Sequence, residues 1–228
     1  SSSNLQYAWS PTTGLSSHTI SQPILTAPFA TQAYTLTVTN QQTGCTATDV
    51  VAVNVNLTPP PVNAGTDKTV TCTQNTGPLT LGTTGNSNLN YTWTPNTFIN
   101  SPNVAQPIAN VLATTTYTLT VGNPTNGCSS TDNVTITVNN TPPVANAGTG
   151  GTITCTQNSP IQLGTTGSAG FSYTWSPSAG LQGSNSSNPI VSNILTTTTY
   201  TLTVQDLSNS CTDTAQVIVH VNNTPPVV

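Results

Sequence analysis

An all-β chain built from tandem sandwich repeats is the expectation for these 228 residues, and three observations carry it. The stretch Thr115-Thr116-Tyr117-Thr118-Leu119-Thr120-Val121 alternates apolar and polar residues with the period of a strand that has one buried and one wet face. It recurs as Tyr34-Thr35-Leu36-Thr37-Val38 and Tyr200-Thr201-Leu202-Thr203-Val204, and the step from Tyr34 to Tyr117 equals that from Tyr117 to Tyr200. Each copy leads to a cysteine, Cys45, Cys128 or Cys211, and these keep the same step.

The elements follow in order within the middle copy. Val70 and Cys72 share a face of a first strand, Leu79 and Leu81 of a second, Tyr91 and Trp93 of a third. A proline-broken stretch around Pro107-Ile108 and Val111-Leu112 supplies one or two short edge strands. Tyr117 to Val121 comes next, and Val134-Thr135-Ile136-Thr137-Val138 closes the unit. Six or seven short strands between Gly, Asn, Pro and Thr turns indicate an immunoglobulin-like β-sandwich of about 83 residues.

Trp9, Trp93 and Trp175 each stand in Tyr-x-Trp-[Ser/Thr]-Pro and are expected in the core. Thr58-Pro59-Pro60, Thr141-Pro142-Pro143 and Thr224-Pro225-Pro226 mark the joints, because Pro-Pro cannot continue a central strand and favours an extended segment. The expected repeats are therefore 1–59, 60–142 and 143–228, the last carrying the start of the next linker. Repeat one lacks the N-terminal strands of the unit, which read elsewhere as Thr69-Val70-Thr71-Cys72-Thr73-Gln74-Asn75 and Ile153-Thr154-Cys155-Thr156-Gln157-Asn158.

One cysteine pair per repeat reads as a disulfide framework formed in an oxidising, extracytoplasmic space. Cys72 and Cys128 fall in repeat two and Cys155 and Cys211 in repeat three; the expected partner of Cys45 lies upstream of Ser1. Each bridge is expected to tie the first strand of its own unit to the approach of the last, stabilising it by about 4 kcal/mol through loop entropy. Two isolated thiols per unit do not supply a metal-binding cluster.

Composition sets the function classes. Only 3% of residues are charged, Lys68 is the sole base, and the net charge is -4. With no row of cations to meet phosphates, neither nucleic acid nor an electrostatic membrane anchor is an expected partner. No apolar run approaches the roughly 18 residues of a membrane helix, and no membrane insertion is expected. No Ser-His-Asp or Cys-His set can be assembled repeat by repeat, so no catalytic residue, enzyme activity or cofactor is assigned.

The remaining candidates have plain readings. His220 belongs to the polar side of the last strand, and His18 to a loop without counterparts. Asp49, Asp132 and Asp213 read as turn or strand-entry residues, one carboxylate per unit being too few for a strong calcium site. A repeated Lys–Asn isopeptide bond is excluded, since only Lys68 exists. Asp213-Thr214-Ala215 has the form of a short O-glycan acceptor, with Thr214 as the candidate.

Together the motifs resemble a known family. Tyr-x-Trp-Ser-Pro-x-x-Gly-Leu, as in Ser10-Pro11-Thr12-Thr13-Gly14-Leu15 and Ser176-Pro177-Ser178-Ala179-Gly180-Leu181, is similar to the tandem Ig-like/PKD-like repeats of secreted Bacteroidota surface proteins. So are Asn-Pro-Ile, Thr-Thr-Thr-Tyr-Thr-Leu-Thr-Val and Gly-Cys-x-x-x-Asp; repeat two departs at Thr94-Pro95-Asn96-Thr97-Phe98-Ile99. The resemblance implies long surface adhesins, gliding adhesins among them, or stalks of secreted enzymes, exported by the type IX route.

The expected function is structural: a segment of a long extracellular bacterial adhesin or filament giving reach and attachment. Expected partners are neighbouring repeats of the same chain, identical chains in a fibre or bundle joined at strand edges, and surface glycans. The rival readings are a glycan- or matrix-binding module using the loops around 96–106 and 179–188, and the stalk of an enzyme whose catalytic domain lies outside this segment.

Overall fold

The computed structural model describes residues 4–26, 30–155 and 159–223; the joint at Thr224-Pro225-Pro226 and the pair Gln157-Asn158 lie outside them. All of its regular structure is strand. In chain order these are β1 (Leu5–Ser10), β2 (Gln32–Asn40), β3 (Thr46–Val53), β4 (Lys68–Val70), β5 (Leu79–Thr80) and β6 (Asn90–Thr94). There follow β7 (Ile108–Ala109), β8 (Thr115–Gly122), β9 (Ser129–Val138), β10 (Gly151–Thr154) and β11 (Ile161–Gln162). The last are β12 (Phe171–Ser176), β13 (Leu181–Gln182), β14 (Ile190–Val191), β15 (Thr198–Asp206) and β16 (Thr212–Asn222).

The chain divides into two compact units, one of residues 1–61 with 88–90 and 121–130, the other of the remainder. The first unit contains the antiparallel sheet β1-β2-β3, with Trp9 opposite Leu36 and Tyr34 opposite Val51. In the second, β10-β16-β15-β12 form one sheet and β11-β14-β13 the facing one. The middle stretch repeats this plan as β4-β9-β8-β6 against β5-β7. These are immunoglobulin-like sandwiches.

The alternation read from sequence lands on the core. Tyr117, Leu119 and Val121 are buried, as are Tyr200, Leu202 and Val204, while the intervening threonines are only partly covered. Tyr200, Leu202 and Val204 pack with Trp175 and with Ile161 and Leu163 of the facing sheet, and Trp93, Leu79 and Leu81 are likewise buried. Burying a side chain of this kind contributes roughly 1.5–3 kcal/mol.

One device organises each loop after the tryptophan. The indole Nε1 donates to a carbonyl 11 residues on: Trp9 to Ile20, Trp93 to Val104 and Trp175 to Ser186, all at 3.0 Å. The strand tyrosine reaches the same loop from the other side, Tyr34 to Thr13 O (2.8 Å), Tyr117 to Thr97 O (2.9 Å) and Tyr200 to Ala179 O (2.8 Å). The Trp-Ser/Thr-Pro motif and the Tyr-Thr-Leu-Thr-Val motif are thus two halves of one network. Gly82 and Gly164 lie beneath it with φ of 70° and 69°; a Cβ there would strike Ala105 O or Ser187 O, so only glycine fits.

A pairing that sequence reading did not anticipate decides the topology. The first strand runs parallel to the last: β10 pairs β16 with Thr154 opposite Asn222, and β4 pairs β9 with Val70 opposite Val138. Aspartates pin the incoming chain to that last strand. Asp132 Oδ2 accepts from Ala64 N (2.8 Å), Asp213 Oδ2 from Ala145 N (2.9 Å) and Asp67 Oδ1 from Thr135 N (2.7 Å). Lys68 Nζ donates to Thr80 O at 2.7 Å, joining the two sheets.

Burial raises the phenol pKa of both Tyr117, where a Thr115 hydrogen bond partly offsets it, and Tyr200. A folded-state value above the unfolded one gives stability that is present below pH ~10 and is lost as pH rises through the folded-state value. In alkaline titration followed by tyrosinate absorbance, two tyrosines should therefore ionise late and together with unfolding. Tyr117→Phe, which leaves Thr97 O without its donor, should remove one late step and cost about 1–3 kcal/mol in urea denaturation.

Candidate functional site: a disulfide junction

The cysteines do not pair within repeats. Cys72 is bonded to Cys211, 139 residues on, with Cα atoms 5.0 Å apart, while Cys45, Cys128 and Cys155 are unpaired. The expected bridge in each repeat, Cys72 to Cys128 and Cys155 to Cys211, is corrected by this pairing, and the parallel strand gives the reason. Cys155 follows Thr154, which lies opposite Asn222 at the far end of β16; Cys211 precedes Thr212 at its near end. The 11 residues of β16 span roughly 36 Å at ~3.3 Å each, whereas a disulfide needs Cα atoms within about 7 Å. A cysteine after the first strand can therefore reach only a hairpin supplied from beyond its own unit.

That hairpin is built to arrive there. Between β15 and β16, Asp206 N donates to Cys211 O (2.9 Å) and Ser210 N to Asp206 O (2.8 Å), with Ser210 at φ 60°. Asp206 Oδ1 accepts from Ser208 N and Oγ (2.8 and 2.7 Å), and these bonds hold its carboxyl below the usual range. At the tip stands Asn209, only 2% exposed. Its Oδ1 accepts from Cys211 N (2.8 Å), while its Nδ2 donates to Asn139 Oδ1 and Thr141 O, both 3.1 Å. Thr141 belongs to the Thr-Pro-Pro joint, so one amide locks the hairpin cysteine and the preceding linker together. Cys211 is fully buried, and Cys72 Sγ lies 3.5 Å from Asn140 O.

The first unit repeats this arrangement without the bridge. Asn126 Oδ1 accepts from Cys128 N (3.0 Å) and Asn126 Nδ2 donates to Thr58 O (3.0 Å), in the first Thr-Pro-Pro joint. The hairpin bonds also recur, Asn123 N to Cys128 O and Gly127 N to Asn123 O, both 2.8 Å. At Cys45 the backbone bonds persist, but Thr43 replaces the asparagine and offers only its hydroxyl to Cys45 N (3.4 Å). Sequence reading assigned no role to Asn126 or Asn209; the recurrence of Asn two positions before Cys128 and Cys211 was the available signal.

The other candidates sit where chemistry is thin. Trp93 and Trp175 are buried and offer no open stacking face, and Trp9 is half-buried. His220 and Thr214 are exposed on β16, opposite Thr152 of β10 and Thr203 of β15. Asp49 Oδ1 accepts from its neighbour Val50 N at 2.9 Å. Among the described residues no three His, Cys, Asp or Glu side chains gather as a metal-binding group.

A loop of 139 residues closed by one bridge corresponds to about 5 kcal/mol of loop entropy. Cys72→Ser and Cys211→Ser should each lower the urea midpoint, and Cys155→Ser should leave it in place. Pairing within repeats would instead make Cys155→Ser as damaging as Cys211→Ser. Asn209→Ala should cost about 1–3 kcal/mol by stranding Thr141 O and Cys211 N.

No family model matches the chain, and no curated protein matches it. Solved structures do. A titin fragment of domains I67–I69 aligns over 96% of this chain and 89% of its own at 9% identity, with a TM-score of 0.45. Drosophila N-cadherin EC1-4 aligns over 96% and 66% at 12% identity and a TM-score of 0.44, and mouse clustered protocadherin EC1-3 over 96% and 89% at 14% and 0.44. The chain is thus similar to arrays of tandem Ig-like and cadherin domains.

Proposed function

We propose that this chain is a load-bearing segment of an extracellular array, made of the repeats 1–59, 60–142 and 143–228, that gives a bacterial surface adhesin or filament its reach and attachment. The bridge from Cys72 to Cys211 carries the reading, because it joins the chain just after β4 to the hairpin that precedes β16. A covalent link at that place carries tension from Cys72 to Cys211 without loading the strands from β5 to β15. The oxidising environment that such a bridge requires supports an extracellular location. Low charge leaves little repulsion between neighbouring chains, which favours bundling of identical copies. Thr214, exposed on β16, is available to a glycosyltransferase recognising Asp213-Thr214-Ala215.

Single-molecule pulling on the chain held at its two ends tests this role. With the bridge intact, the residues between Cys72 and Cys211 should contribute almost nothing to the extended length. Reduction should then release on the order of 480 Å, from 139 residues at ~3.5 Å each. Equal lengths with and without reductant would overturn the load-bearing role.

A further inference from the structure

The first unit carries half of a second junction. Three observations in it point to the same missing partner. Val51 is 47% exposed, whereas its register equivalents Val134 and Val217 are 1% and 6% exposed. With Trp9, Pro23, Leu25, Tyr34 and Val53 it lines an apolar groove of about 310 Å³. In the second unit the corresponding strand β16 is covered by Ala147, by the parallel strand β10 and by β11. Asp49 is the second observation. Its equivalent Asp132 uses Oδ1 for Asn133 N and Oδ2 for Ala64 N of the incoming segment. Asp49 makes the first of these bonds, to Val50 N at 2.9 Å. The third is Cys128, whose hairpin is seated on Thr58 by Asn126 just as that of Cys211 is seated on Thr141 by Asn209.

From these we infer that the first unit is a docking site for a strand pair of the type Val62–Gly82, supplied by the chain upstream of Ser1, and that this segment delivers a cysteine to Cys128. The segment runs parallel to β3, covers Val51, presents a backbone N–H to Asp49, and ends with its cysteine beside the Cys128 hairpin. By the same geometry every junction is bridged at the step that separates Cys72 from Cys211, so Cys45 also pairs upstream and Cys155 pairs downstream.

The bond forms by thiol–disulfide exchange with a disulfide oxidant, either an oxidoreductase or glutathione disulfide. One thiolate attacks the oxidant's disulfide and displaces one of its sulfurs. The second thiolate then displaces the other. One S–S bond is made, two protons leave the protein thiols, and the two electrons end on the oxidant, now a dithiol or two thiols.

The test is a disulfide map of the full-length chain, with unpaired thiols alkylated under denaturant before digestion. Cys128 should be found linked within the same molecule to an upstream cysteine at the separation seen between Cys72 and Cys211, with Cys45 and Cys155 linked at the same step. Alkylated Cys128, a link between Cys72 and Cys128, or a link between two molecules would each overturn the inference. As a second measurement, the 228-residue chain is incubated with glutathione disulfide and a synthetic peptide copying positions 62–82. The peptide should be captured at Cys128 at least tenfold more than at Cys45 or Cys155, and Asp49→Ala should reduce that capture. Equal capture at all three thiols would contradict a docked strand.

Discussion

The constraint on which the rest depends is the parallel pairing of the first strand with the last. Because β10 runs alongside β16 in the same direction, the chain leaves its first strand at the end of the sandwich where the unit will later finish. Cys72, placed just after β4, meets Cys211 in the hairpin before β16. The disulfide therefore ties β4 to the β15–β16 hairpin and not to the hairpin of its own sheet. Had the first strand paired antiparallel, the same cysteines would have met within one sandwich and each unit would have been stabilised alone.

The junction is stiffened by more than sulfur. Asn209 is nearly fully buried and satisfies both the hairpin and the linker with one amide. A buried amide is costly unless its polar atoms are paired, so hairpin and linker hold each other in register. Within each sandwich the tryptophan and tyrosine hold the loop between them by opposite ends. The loops around 96–106 and 179–188, the candidates for specificity, are in this way fastened at several backbone carbonyls.

Much of the fold was legible in sequence because the signals were local. Alternation at Tyr117, Leu119 and Val121 reports which face is buried, and the recurrence of Trp93 and Trp175 reports a core position. The cysteine partnership was not legible. In a chain of identical steps, pairing Cys72 with Cys128 and pairing it with Cys211 leave the same periodic trace, and only strand direction separates them. Strand direction is set by which backbone lies beside which, and the alternation of side chains carries no record of it. The role of Asn126 and Asn209 was hidden for a related reason. Their partners, Thr58 and Thr141, lie 68 residues earlier, beyond the range at which an Asn before a Gly or Ser is read as anything but a turn.

The bridge closes a long loop of chain, and Cys155 lies inside it. The most direct test of this account is a non-reducing peptide map of the oxidised 228-residue chain, its unpaired thiols capped in denaturant and its fragments read by mass spectrometry. The account predicts one cross-linked species joining the peptides of Cys72 and Cys211, with Cys45, Cys128 and Cys155 capped. Cross-links joining Cys72 to Cys128 and Cys155 to Cys211 would contradict it.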